Sequence, residues 1–338
     1  MDRFMDIYGL NTTSESPLVF YPNLPDYILY LTVVSCILSL IGSLNILLAY
    51  IYVPDIQNFA RKLFVYLTAA NSLDNFGVII GLIRYFIIND DTRAFVGWNS
   101  IKLLDICVFQ ALVTSYAPSV SFFWTTMIAF YIFMQVESPK TAKAMSKNSC
   151  LLLYHVIGWG LPAILCMVPL YYDVYGENFS TYTGPWCWIR SGLTRKETVT
   201  WMFVSVKGWE FFTYLVTAAV FMLILWTRYK KKRNPFTVND ASYNSLFPSD
   251  RFLMYTWLLL VLLRLPGNIR LALLLNNPTG NYPGRTLLMT IQSTLDASQA
   301  FTNFVCFFYF EKRILAFLYR CRCKCRDKEK NYGTLMNA

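Results

Sequence analysis

Seven formally charged side chains sit well inside long apolar stretches of this sequence: Asp74, Arg84, Lys207, Glu210, Arg264, Arg270 and Asp296. A charge placed where its neighbours face lipid is costly, so each is a candidate for function. Counting from the ends of the stretches puts Asp74, Arg264 and Asp296 near mid-depth. Arg84, Lys207, Glu210 and Arg270 fall in one half, with Asp105 at its rim. For the mid-depth trio two readings compete. The groups neutralise one another, with Asp74 reaching Arg264 across a bundle, or they form a functional polar network. Lys207 and Glu210 stand at i, i+3, which is salt-bridge spacing on a helix. The half containing them has three cations against Glu210 and Asp105, so it need not neutralise completely. A water-filled crevice there, edged by Tyr85, Trp98, Trp201 and Trp209, would suit a polar or anionic ligand.

Other chemistries are poorly served. A single histidine, His155, excludes a multi-histidine metal centre and the seven-span zinc hydrolase pattern. It is expected to be a hydrogen-bonded residue between helices. No lysine lies between Arg285 and Lys312, so a Schiff base to retinal has no anchor in the last stretch. No nucleophile elbow, P-loop or dinucleotide fingerprint stands in a strand–turn–helix setting. Neither an enzyme nor a cofactor nor a metal is expected.

The elements that must position these charges are apolar spans. The 338 residues are 55% hydrophobic and only 15% charged, with mean hydropathy +0.38. That is too little polar surface for soluble domains. Seven stretches have the ~20 residues needed to cross a bilayer: Asp26–Tyr52, Arg61–Ile88, Lys102–Val136, Asn148–Tyr171, Val199–Arg228, Arg251–Leu275 and Arg285–Phe310. The expected fold is all-α, a seven-transmembrane bundle over 26–310. A short outer segment, 1–25, precedes it, and 311–338 follow as a short amphipathic membrane-surface helix and tail. The first segment lacks a basic start, so the first span is expected to act as signal anchor. An odd span number and the lack of an inverted repeat fit poorly with a two-half transporter.

The net charge of +10 is a topology signal. With the N-terminus outside, the inner segments collect Arg61, Lys62, Lys143, Lys230, Lys231, Lys232 and Arg251, together with the basic tail. No nucleic-acid partner is implied. The sequons at Asn11 and Asn178 then both fall outside, as glycosylation requires. Of nine cysteines, Cys107 and Cys187 are best placed in an oxidising compartment and pair most simply with each other; two unpaired thiols are the alternative. Cys36, Cys150, Cys166 and Cys306 read as small core residues. Cys321, Cys323 and Cys325 alternate with basic residues beside the inner leaflet, which suits S-acylation. No modification and a zinc cluster are the competing readings, and the spacing is wrong for zinc.

Several runs resemble the secretin-like and cyclic-AMP-receptor-like branch of G-protein-coupled receptors. Gly158-Trp159-Gly160-Leu161-Pro162 matches the G-W-G-x-P of the fourth span, Cys187-Trp188 the outer-loop pair, and Cys107-Val-Phe-Gln110 the C-x-x-Q of the third span. Ser121–Thr125, Trp186–Ile189, Lys207-Gly-Trp-Glu210 and the pair Gln299 and Asn303 also look like an animal orphan member. Rhodopsin-like Asp-Arg-Tyr and Asn-Pro-x-x-Tyr motifs are missing. The resemblance implies a plasma-membrane receptor that passes an outside signal to a heterotrimeric G protein on its basic inner face. It adds Gln299 to the ligand-pocket candidates and Asn303 to the mid-depth network. It also implies movement of the inner half of the sixth span, for which Pro266-Gly267 is either a hinge or a static kink. The short first segment has no cysteines, so a ligand is expected to engage the bundle itself. A seven-span channel or transporter using the charged interior, and a scaffold without ligand, remain the alternatives.

Overall fold

The first span is apolar all round, but only one side of it is small. In the computed structural model, α1 (Asp26–Tyr52) buries Ser35, Ser39, Gly42, Ser43 and Ile46 and turns Val34, Ile41, Leu44 and Leu48 outward. Large residues outside and small ones inside is the membrane pattern, because lipid and protein interior are equally apolar and close packing decides which face turns in. The structure describes residues 25–89, 100–177, 186–233, 253, 256–276, 284–311 and 313–314.

The remaining helices are α2 (Phe59–Asn89), α3 (Ser100–Glu137) and the short α4 (Pro139–Met145). Helix α5 runs Asn148–His155, through a π turn at Val156–Gly160, to Leu161–Tyr171. Helix α6 runs Arg195–Met202, through a π turn at Phe203–Lys207, to Gly208–Arg233. It starts four residues before the expected Val199 because Thr194 and Glu197 form a reciprocal capping box. Helix α7 is Thr256–Asn276; the expected start at Arg251 lies outside the described residues. Six of these elements are long and apolar enough to span a bilayer. The seventh stretch is divided at Ser298 into α8 (Arg285–Ala297) and α9 (Gln299–Phe310).

That division has an identifiable cause. The Ser39 hydroxyl on α1 donates to the Ala297 carbonyl at 2.6 Å and accepts from the Phe301 amide at 3.2 Å. Those two backbone groups would otherwise bond each other, so the hydroxyl sits inside the i→i−4 ladder and bends it. Gly42 lets the helices close, since a Cβ there would lie 2.9 Å from Phe304 Cβ. Helices α1, α2, α3 and α6 pack in sequence, α5 lies against α3, and α7 packs chiefly on α8. The chain is a multi-pass, all-α seven-transmembrane bundle.

The Gly158-Trp159-Gly160-x-Pro162 run makes the seat between α5 and α3. Pro162 supplies no N–H to the preceding turn, and the helix widens there into its π turn. Gly158 is required because a Cβ would come within 2.6 Å of the Trp124 indole. Trp159 meets Trp124 edge-on, and its carbonyl accepts from Tyr116 Oη at 3.3 Å. His155 packs edge-on to Tyr66 and Trp124, a ring contact where a hydrogen bond was expected. One large apolar cluster, from Ile46 and Phe64 to Trp124, Ile132, Ile224 and Phe307, fills the half of the bundle nearest the tail.

Ser39→Ala leaves two buried backbone groups without their shared partner and is expected to cost ~1 kcal/mol. Gly42→Val overpacks the α1–α9 contact and is expected to cost more, ~1–3 kcal/mol. Thermal unfolding of the purified protein in micelles reads both. The ranking fails if Gly42→Val melts no lower than Ser39→Ala.

Candidate ligand-binding site

At the end of the bundle opposite the tail, the segment between α5 and α6 folds back over the helices. Its strands β1 (Tyr175–Gly176) and β2 (Trp188–Ile189) pair antiparallel. Cys107 on α3 and Cys187 are joined in a disulfide, with Cα atoms 5.5 Å apart. One turn along α3, the buried Gln110 Oε1 accepts from the Cys187 amide at 2.7 Å. The Cys-x-x-Gln spacing therefore puts a covalent tie and a hydrogen bond on one helix face, both aimed at the same residue. A third tie joins Arg84 on α2 to Glu177 at 2.5 Å, both largely buried. Tyr175 packs beneath the hairpin, and burial pushes its phenol well above the usual tyrosine range.

The π turn in α6 is what brings Lys207 to the interior. Gly208 has to be glycine there, because a Cβ would sit 2.6 Å from the Phe203 carbonyl oxygen. The bulge frees the Val204 carbonyl, which accepts from Trp209 Nε1 at 2.9 Å. Lys207 Nζ then donates to Glu210 Oε2 at 2.8 Å and to Asn268 Oδ1 on α7 at 2.9 Å. Glu210 is fully buried and also accepts from Asn268 Nδ2 and Tyr214 Oη, at 2.7 and 2.5 Å. Every member of this α6–α7 network shares its hydrogen bonds with another, as buried polar groups must.

One turn from Asn268, Arg264 reaches four helices. It meets Asp74 on α2 at 3.2 Å, Asp296 on α8 at 3.9 Å and Gln299 on α9 at 3.5 Å, and it stacks over Phe122 of α3 at 5.6 Å. Above this group opens a cavity of about 120 Å³. Asp74, Arg264 and Asp296 form its polar floor, Lys207 and Arg270 its charged wall, and Trp186 and Trp188 of the tied segment its aromatic side. Arg270 Nη1 donates to Gln292 Oε1 at 3.0 Å. The cavity is thus dipolar, with fixed charge of both signs along its lining.

The structure regroups the residues singled out from the sequence. Asp74, Arg264 and Asp296 line the same cavity as two of the pocket candidates, Lys207 and Arg270, whereas Glu210, Trp209 and Gln299 are not among its lining residues. Arg84 does not line it; it pairs with Glu177, an acid in the loop outside the spans. Trp209 faces Phe123 and Phe212, and Gln299 lies beneath Arg264 next to Ser121. Asn303 is buried on α9, one turn beyond Gln299. Asn268, Tyr214 and Gln292, neutral groups that formal charge does not single out, complete the network; polar side chains within apolar spans are the signal that marks them. On the tail side, Arg61 is not a surface cation. It is buried against Glu311 at 2.5 Å, and Arg313 joins the same carboxylate at 2.8 Å and the Asp55 carbonyl at 2.7 Å. Lys143 and Lys230 are exposed and Lys62 half-buried, while Lys231 and Lys232 fall on the last turn of α6. Asn11, Asn178, Arg251, Cys321, Cys323 and Cys325, and the surface helix beyond 314, lie outside the described residues.

Comparison with known proteins adds an independent line. Residues 26–302 match the family described as 7 transmembrane receptor (Secretin family). Human G-protein coupled receptor 157 is 28% identical over 190 residues, 56% of this chain and 51% of that one. Arabidopsis thaliana G-protein coupled receptor 1 is 30% identical over 159 residues, 47% of this chain and 40% of that one. Cyclic AMP receptor-like protein C of Dictyostelium discoideum is 23% identical over 207 residues, 61% and 51%. The chain spans about half the length of the first of these relatives.

Arg264→Met leaves Asp74 and Asp296 without their counter-charge and is expected to destabilise by ~3–5 kcal/mol. The triple variant D74N/R264M/D296N removes the stranded charges and is expected to recover most of that loss. Melting temperatures in micelles decide, and a triple variant no more stable than the single one would sink the account.

Proposed function

Since the chain belongs to the secretin family of seven-transmembrane receptors, we propose that it takes a polar extracellular ligand into the dipolar cavity and activates a heterotrimeric G protein. The observation that carries this reading is the position of the cavity's charges on α7. Arg264 and Asn268 flank Pro266-Gly267, where proline removes a backbone hydrogen bond and loosens the helix. Gly267 lies against Gln292, with room for no larger group without displacing that amide. A ligand that redistributes contacts among Lys207, Arg264 and Asp296 acts on the helix at its weakest point. Helix α7 packs mainly on α8, so its tail-side half can swing while α1, α2, α3 and α6 stay together. Ligand and G protein then favour the same open state and tighten each other's binding.

On this reading the cavity end faces outside and the chain resides in the plasma membrane. The support is the collection of lysines and arginines on the tail side, the sequons at Asn11 and Asn178 on the other, and a disulfide at the cavity end. The G protein would meet Lys62, Lys143 and Lys230 with Lys231, Lys232 and Arg251, and Arg61 would hold the frame beneath them. Acylated Cys321, Cys323 and Cys325 would hold the tail at the inner leaflet.

The test is nucleotide exchange by purified receptor in nanodiscs, across the Gα classes, with current recorded in parallel from planar bilayers. Exchange above the empty-nanodisc rate with at least one class is expected. Lys143→Glu with Lys230→Glu should lower it by about tenfold, since rim charges act on association. Current without exchange would replace the receptor by a channel.

A further inference from the structure

Glu177 pairs with Arg84, and the same carboxylate lies against the disulfide. Its Oε2 is 3.7 Å from Cys187 Sγ, and the two sulfurs and this carboxylate all lie within 4.8 Å of one another. Both cysteines are fully buried and Glu177 is largely so. A disulfide sulfur has no proton to donate, so the closed bridge offers the oxygen no hydrogen bond. Opened to thiols, the three side chains become a ligand set. Two thiolates and a carboxylate are zinc donors, at Zn–S ~2.3 Å and Zn–O ~2.0–2.2 Å, and a tetrahedron with those bonds has a sulfur–oxygen edge of about 3.5 Å. The observed 3.7 Å is close to that edge. Charge closes as well. The two thiolates and the carboxylate carry three negative charges; zinc supplies two positive ones and the buried Arg84 the third, so no ion is stranded. Arg84 Nη2 donates to the carboxylate at 2.5 Å, the kind of outer hydrogen bond that orients a metal-ligating group.

We propose that Cys107, Cys187 and Glu177 bind zinc when the disulfide is opened, so that the segment between α5 and α6 keeps its tie to α3 under reducing conditions. The exchange balances. A dithiol reductant passes through a mixed disulfide, ends as a disulfide itself and leaves two thiols on the receptor. Zinc then takes both sulfurs as thiolates and releases their two protons to water. Water fills the fourth position of the tetrahedron. The bond from the Cys187 amide to Gln110 Oε1 holds Cys187 in place in both states, and the Cys107 sulfur makes the movement. Two sulfurs among three ligands select against calcium and magnesium, which take oxygen. The proposal is independent of the cavity's ligand and of the G protein.

The test uses full-length receptor in nanodiscs carrying C321S/C323S/C325S, so that the tail offers no thiols. A water-soluble phosphine opens the disulfide and is itself oxidised to the phosphine oxide. Opening is expected to lower the melting temperature by ~5 °C or more, and micromolar zinc to restore at least half of that loss. Cobalt(II) in place of zinc is expected to give thiolate charge-transfer absorption in the near ultraviolet, and Glu177→Gln to weaken cobalt binding by about tenfold or more. C107S/C187S should show neither the recovery nor the absorption. Where the buried bridge resists the phosphine, Cys107→His, which cannot form it but keeps a zinc ligand, is compared with Cys107→Ser. Zinc is then expected to raise the melting temperature of the histidine variant by ~2 °C or more beyond any rise in the serine one. Equal zinc responses in the two, recovery in C107S/C187S, a reduced protein that zinc does not stabilise, or cobalt affinity unchanged by Glu177→Gln each overturn the proposal.

Discussion

Burying the guanidinium of Arg264 in the middle of a membrane protein is the constraint to which the other elements answer. An arginine there cannot be neutralised by losing its proton, and leaving it unpaired would cost several kcal/mol or more. It is met by carboxylates on two other helices, an amide on a third and an aromatic face on a fourth. Those partners come from α2, α8, α9 and α3, so one side chain fixes the mutual rotation of most of the bundle. Helix α7 is correspondingly tied by polar contacts where it has little apolar packing outside α8.

The rest of the bundle frames this centre at both ends. The apolar cluster from Ile46 to Phe307 closes the half nearest the tail. The disulfide, the Gln110 bond and the Arg84–Glu177 pair hold the ends of the connecting segment against the opposite end, where Trp186 and Trp188 line one side of the cavity. Three ties on one short segment, from α3 twice and α2 once, leave it little freedom relative to those helices.

Much of the fold was legible because the membrane writes it in composition: seven apolar stretches, with charges whose depth could be counted. Charge alone picked out Asp74, Arg264, Asp296 and Lys207, the centre of the cavity. It also misplaced two arginines. Arg84 and Arg61 looked like a ligand group and a surface group, and both are buried in pairs whose acids, Glu177 and Glu311, lie far away in sequence. A single sequence gives no measure of such long-range pairing. The π turns of α5 and α6 were equally hidden, since a run such as Lys207-Gly-Trp-Glu gives no periodic sign of an extra residue in a turn. Its glycine acquires a reason only when the Phe203 carbonyl is seen against it. The break at Ser298 depends on Ser39, a serine among apolar neighbours and 259 positions earlier in the chain. Nothing in the last stretch by itself announces it.

The buried Arg61–Glu311 pair has a geometric consequence for everything that follows it in the chain. Glu311 is stapled, through Arg61 and through Arg313 to the Asp55 carbonyl, to the turn between the first two helices. Cys321 is ten positions further on, so it cannot stray more than about 35 Å from that staple however the intervening residues run. Any group carried by Cys321 is therefore confined to within that distance of the turn between α1 and α2.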